Sequence, residues 1–151
     1  MNPTPHVVGL GGSLSDKSTS LRAVRFALDA TEQAGATVDL LDVRDLALPF
    51  YGRDVPASLG VTRLVEATAA ADALIWSSPL YHGTVSGVFK NALAWLQMLA
   101  DREQPFLSAK PVGLIATAAG VQGLQAINTM EFVVRALRGW TVPFVVPLAR
   151  A

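Results

Sequence analysis

Apolar positions along the chain fall into two alternating patterns. Residues 7–10, 73–77, 111–118 and 142–146 are short continuous apolar runs, and residues 37–43 (Thr-Val-Asp-Leu-Leu-Asp-Val) form another. Such runs, bounded by turn residues, predict strands buried on both faces. Between them the period lengthens. Residues 21–33 place Leu21, Val24, Ala27 and Leu28 at helical spacing, with Gly35 as the stop. Residues 61–71 resume that period, residues 88–100 set Phe89, Leu93, Leu96 and Leu99 on one side, and residues 124–137 run to a stop at Gly139. Residues 44–60 hold two prolines and two glycines and read as a long loop.

Strands and helices therefore alternate from end to end, with no hairpin signal and no repeat. This order predicts a single α/β domain over residues 1–151, a doubly wound parallel sheet covered on both faces. Ligands of such sheets gather at the carboxyl ends of the strands, near the point where the strand order reverses. A final helix after the fifth strand is expected on the same face as the first helix, yet the sequence ends five residues after Val146. Bare apolar sheet is costly in water, so either the natural chain continues or a partner in a homo-oligomer covers that face.

Composition narrows the functional classes. Of 151 residues 51% are hydrophobic and 16% charged, which is a globular rather than a disordered composition. A formal net charge of zero argues against nucleic acid or an anionic membrane as partner. With no cysteine there is no disulfide, thiolate chemistry or thiolate-bound metal, and no His/Asp/Glu cluster has metal-ligand spacing, so no metal is expected. No apolar run is long enough to span a membrane, and the start MNPTPH is not a signal peptide. A soluble cytoplasmic protein is the expectation.

Chemistry concentrates where the first strand empties into a loop of glycines and hydroxyls: Gly11, Gly12, Ser13, Ser15, Ser18, Thr19 and Ser20. A strand leading through such a loop to a helix N-terminus is an anion site, built from unpaired N–H groups, hydroxyl donors and the helix dipole. Three phosphate loops compete for it. The dinucleotide fingerprint needs a third glycine where Leu14 stands; Asp42 mimics its ribose-binding acid, against the alternative of a solvated carboxylate at a strand end. The nucleoside-triphosphate loop is approached by Gly11 and Asp16-Lys17-Ser18, but Asp16 sets a charge where backbone must touch phosphate. A flavin mononucleotide site, with hydroxyls and N–H groups around one terminal phosphate, accounts best for the hydroxyl density.

The loop after the third strand decides among them. Its sequence, SPLYHGTVSGVFKNALAWL over residues 78–96, closely resembles the S-P-x-Y-N-G-S-x-P-G-x-L-K-N-A-L-D-W-L signature of the NADPH-dependent FMN reductase family. Gly12-Ser13-Leu14-Ser15 with Ser18 to Leu21 resembles the first motif of that family, and residues 46–51 its segment after the second strand. The resemblance implies a flavodoxin-like five-stranded sheet of order 2-1-3-4-5. It also implies FMN as cofactor, NADPH or NADH as electron donor, and a flavin, quinone or azo compound as acceptor. Ser13, Ser15, Ser18, Thr19 and Ser20 would bind the phosphate. Pro79, Leu80, Tyr81, His82, Gly83 and Thr84 would line the ring, with Ala118, Ala119 and Gly120 at its far edge. No catalytic side chain is implied, since the flavin performs the chemistry. The family pattern departs at Ser15 (often arginine), His82 (usually asparagine), Ser86 (usually proline) and Ala94 (usually aspartate).

Blander readings stand beside these. Tyr81 is a ring contact or a rim aromatic; His82 a substrate contact or an idle exposed residue; Lys90 and Asn91 are structural, capping or interface residues. Trp76 reads as core, and Phe89, Leu93, Trp95, Leu96 and Met98 as core or interface. Tyr51 and Arg53 reach a neighbouring cleft only by family likeness, as a homodimer or homotetramer would allow. The rival function is a flavodoxin-type one-electron carrier with no nicotinamide site; such carriers are usually strongly acidic, and this chain is neutral. A non-catalytic binding module is a third reading.

Overall fold

The computed structural model describes residues 3–151; Met1 and Asn2, the start of the stretch read as no signal peptide, lie outside it. The parallel strands are β1 (His6–Gly11), β2 (Thr37–Asp42), β3 (Ala73–Tyr81), β5 (Pro111–Ala118), β6 (Trp140–Thr141) and β7 (Val146–Ala149), with β4 (Thr84–Val85) turned back on β3. The helices are α1 (Thr19–Gln33), α2 (Val43–Leu46), α3 (Leu59–Ala70), α4 (Gly87–Trp95), which tightens into a 3₁₀ turn over Leu96–Leu99, and α5 (Gly123–Ala136).

The sheet path is β2-β1-β3-β5-β6. Counting parallel strands alone, this is the expected 2-1-3-4-5 order, with the fifth place divided between two short segments. Both β6 and β7 pair in parallel with β5, at Pro111↔Trp140 and at Ile115↔Val146 respectively. The expected strand over 142–146 is thus displaced: only Val146 of it lies in a strand. Pro143 has no N–H to give to a ladder, so the chain leaves the sheet there and re-enters it after Val145.

Alternate residues of the strands supply two apolar clusters, one per face. Val8, Leu10, Leu41, Leu74, Trp76, Val112 and Leu114 pack against α3, α4 and α5. Val7 packs against Leu21, Val24 and Leu28 of α1, with Val38, Leu40 and Ile75 beside them. Beyond α1 this second face is open, and a groove of about 780 Å³ runs past the exposed Phe26 to Ile115, Val146 and Leu148.

Two further departures from expectation bear on the site. The absence of a hairpin signal is overturned, because β3 continues to Tyr81 and returns as β4 through a two-residue turn at His82 (φ 49°) and Gly83 (φ 86°). Both residues are in the left-handed region that such a turn requires. The 44–60 loop also begins with the short helix α2, capped by Asp42, whose carboxylate accepts from Arg44 N–H at 3.0 Å. Past it the loop is held by α4. Asn91 accepts from Tyr51 N–H at 2.8 Å and donates to the Pro49 carbonyl at 2.9 Å, a carbonyl that also accepts from Trp95 Nε1 at 2.8 Å. Asn91 is therefore the structural residue it was read as.

Candidate functional site

The carboxyl ends of β1, β3 and β5 open on one side of the sheet, and the loop joining β1 to α1 crosses above them. Its backbone is tied down from below: Gly12 N–H donates to the Ser77 carbonyl at 2.9 Å, and Ser77 Oγ donates to the Ser20 carbonyl at 2.8 Å. Ser18 is the N-cap of α1, its Oγ accepting from Leu21 N–H at 3.0 Å and lying 3.0 Å from Ser20 Oγ. Ser13 Oγ accepts from Ser15 N–H at 3.1 Å and Ser15 Oγ from Lys17 N–H at 3.3 Å. Because each hydroxyl keeps its own proton while accepting, Ser13 and Ser15 remain donors.

Between this loop and the tips of β3 and β5 lies a cleft of about 310 Å³. Ser13, Ser15, Ser18, Thr19 and Ser20 line one end of it, together with Lys17. Pro79, Leu80 and Tyr81 form one wall, and Thr117, Ala118 and Ala119 the other, with Ala151 at its edge. Ten of the fourteen residues expected from the sequence thus meet at one cleft: the five hydroxyl residues, Pro79 to Tyr81, Ala118 and Ala119. The other four stand beyond its lining. His82 and Gly83 make the hairpin turn, Thr84 Oγ1 lies 3.1 Å from Thr129 Oγ1 on α5, and Gly120 follows the far wall. Sequence reasoning did not place Lys17, Thr117 or Ala151 there. Lys17 had a signal in its place beside Ser18 at a helix start, and Thr117 in its place before Ala118, where the pairing of β5 with β3 sets it beside Pro79; Ala151 is brought in only by the pairing of β5 with β7.

The electrostatics favour an anion at the hydroxyl end. The N-terminus of α1 presents its unpaired N–H groups there, and among the described residues no Asp, Glu, His or Cys side chain lines the cleft. Asp16, the neighbouring acid, is drawn aside by Arg44 at 2.8 Å, and Arg44 also grips Asp42 at 3.1 Å. The hydrogen bond it donates to Asp42, and then the charge of that carboxylate, hold the Arg44 guanidinium above its ordinary range, against the opposing effect of burial. Asp42 is itself buried and caps α2, so it is neither a ribose ligand nor a solvated strand-end carboxylate. Among the described residues no group of His, Asp or Glu has the spacing to hold a metal ion, and no helix is long and apolar enough to cross a membrane. The arrangement suits a ligand with a small anionic end and a flat, largely apolar body.

Comparison with known proteins points the same way. The family model for NADPH-dependent FMN reductases matches residues 5–151. An NAD(P)H-dependent FMN reductase of Pseudomonas aeruginosa is 36% identical over 118 residues, which cover 76% of this chain and 60% of that protein. An FMN-dependent NADPH-azoreductase of Staphylococcus aureus is 40% identical over 80 residues, covering 53% of this chain and 39% of the relative. The chain thus spans less than two thirds of the length of these relatives. Among solved structures, an NADH:FMN oxidoreductase in its apo form superposes with a TM-score of 0.81 at 22% identity, covering 97% of this chain and 76% of that one. The NAD(P)H:acceptor oxidoreductase FerB of Paracoccus denitrificans gives 0.78 at 21% identity, covering 94% and 78%. At such identities the structural likeness is one of fold.

Proposed function

The chain belongs to the NADPH-dependent FMN reductase family, and on that footing we propose that it is an FMN-binding oxidoreductase taking hydride from NADPH or NADH. The observation that carries this reading is the cleft itself: one end made of hydroxyls and a helix N-terminus, flanked by walls of Pro79 to Tyr81 and Ala118 to Ala119. The donor set fits a single terminal phosphate, and the walls fit a planar ring system, so the residues present suit FMN. When bound, FMN supplies the hydride chemistry.

The chain's own residues bind and orient. Ser13, Ser15 and Thr19 donate hydroxyl protons to the phosphate, and Lys17 adds a cation at the mouth. Ser18 and Ser20, buried and bonded to one another, serve chiefly by fixing the start of α1. Leu80 and Tyr81 would give the ring an apolar seat, with the turn at His82 and Gly83 just beyond it offering backbone N–H groups for the ring's polar edge. On the opposite side Ala118, Ala119 and Gly120 lead toward α5, whose N-terminal N–H groups would favour negative charge at the ring's far edge. The acceptor is a small molecule (a second flavin, a quinone or an azo compound) that takes the place vacated by the nicotinamide. The chain acts as a single FMN-binding domain in the cytoplasm. It assembles as a homodimer or homotetramer, which would take exposed Phe26, Phe132 and Phe144 out of water.

The test is reconstitution with FMN, followed by anaerobic addition of NADPH and, separately, NADH. Binding with quenched flavin fluorescence and bleaching of the yellow band by one or both nicotinamides is the expected result. Absence of FMN binding overturns the reading, whereas binding with reduction by dithionite but by neither nicotinamide would make the protein an electron carrier. Turnover with flavin, quinone and azo acceptors then identifies the acceptor class.

A further inference from the structure

Ser86 is the N-cap of α4 and is 2% exposed. Its hydroxyl has two buried partners. It accepts from Phe89 N–H at 3.2 Å, which caps the helix, and it donates to the carbonyl oxygen of Gly12 in the phosphate loop. A hydroxyl has one proton, so capping and clamping use different faces of the same atom. Phe89, from the same helical turn, closes on Gly12 as well: a Cβ built on Gly12 would lie 2.5 Å from Phe89 Cδ2. Beneath the loop, Gly12 N–H is held by the Ser77 carbonyl at 2.9 Å. Both polar groups of Gly12 are therefore tied to buried partners on two different elements, with no room for a side chain.

The consequence falls on the next peptide. In a planar trans peptide the carbonyl and the N–H point in opposite directions. With the Gly12 carbonyl turned toward α4, the Ser13 N–H is turned away from α4. Ser13 lines the cleft, while Ser86 and Phe89 stand behind the loop. We infer that Ser86 is a positioning residue for phosphate binding: its bond to the Gly12 carbonyl orients the Gly12–Ser13 peptide so that the Ser13 N–H faces the phosphate of FMN. This inference rests on the FMN site proposed above, and it joins the α4 start, which does not line the cleft, to the affinity for one end of the cofactor.

The decisive comparison is FMN against riboflavin, which carries the ring without the phosphate. Affinities for both, measured by fluorescence quenching on the wild type and on S86A, S86G and S86T, separate the clamp from the cap. Glycine at an N-cap is tolerated far better than alanine, so S86G deletes the clamp with little loss of helix stability and carries the test if S86A does not fold. Expected is a loss of about tenfold in FMN affinity for S86A and S86G, with riboflavin affinity changed less than twofold. S86T keeps the hydroxyl and restores FMN affinity to within about threefold of wild type. An unchanged FMN-to-riboflavin ratio in S86A or S86G overturns the inference, as does an equal weakening of both ligands, which would reduce Ser86 to a helix cap. A wild-type protein that binds FMN no better than riboflavin, or binds neither, instead fails at the parent reading.

Discussion

Gly60 stands in the first turn of α3, a place where alanine is normally the better residue by about 1 kcal/mol. Here a Cβ would sit 1.8 Å from the Leu46 carbonyl oxygen at the end of α2. Backbone cannot swing aside as a side chain can, so overpacking outweighs the gain in propensity. Gly60→Ala is expected to lower stability by about 2 kcal/mol, read as a shift of the urea midpoint; an unchanged or raised midpoint would show that α2 and α3 part freely. Other residues show where local reading ends. Trp76 lies buried against Phe89 with ring centroids 5.8 Å apart, in keeping with its place inside an apolar strand run. Asp42 looked like a solvated acid at a strand end, and only the turn into α2 made it a buried cap gripping Arg44. Nothing adjacent in sequence announces that turn.

At the scale of elements, two side chains hold backbone that would otherwise be loose. Asn91 and Trp95 of α4 fix the loop at Pro49 and Tyr51, and the Tyr51 and Trp95 rings meet edge to face at 5.2 Å. Asn91→Ala removes two of these bonds, with an expected cost of about 1–3 kcal/mol and faster chymotrypsin cleavage at Phe50 or Tyr51. A cleavage rate equal to wild type would mean that Trp95 alone holds the loop. Lys110, ahead of β5, donates through Nζ to the carbonyls of Ala69, at 2.9 Å, and Ala71, at the end of α3. Burial pushes its ammonium below the ordinary 10.5, partly countered by Asp72. Between that lowered value and 10.5 the folded chain holds fewer protons than the unfolded one, so stability from this group rises with pH across the window. Urea unfolding of wild type and Lys110→Met from pH 8 to 10.5 should therefore show wild type gaining stability relative to the variant as pH increases; a constant difference would remove the linkage. The elements themselves were largely legible, since 3.6-residue and continuous apolar patterns follow from local burial. The hairpin was not, because His82-Gly83 is a weaker turn pair than Asn-Gly and reaches the left-handed region only once β4 pairs with β3.

For the whole molecule, the sheet buries one face under α3, α4 and α5 and leaves part of the other open beyond α1. Light scattering at tens of micromolar is expected to give the mass of two or four chains; a single-chain mass overturns the oligomer proposed here. The alternation of short apolar runs with amphipathic helices was enough to determine a doubly wound parallel sheet, because each element must bury its own apolar face and parallel strands need helical crossovers, whereas the order 2-1-3-4-5 was implied only by the family resemblance. Local composition likewise located the hydroxyl-lined end of the cleft, since a hydroxyl loop before a helix is a property of neighbouring residues. Tertiary structure decided what depends on residues far apart in the chain. Gly12 and Ser86, 74 positions apart, meet in one buried bond, the pairing of β5 with β3 sets Thr117 beside Pro79, its pairing with β7 brings Ala151 to the site, and Pro143 divides the fifth strand. Such contacts are set by the packing of whole elements against each other, and no window of sequence contains both partners.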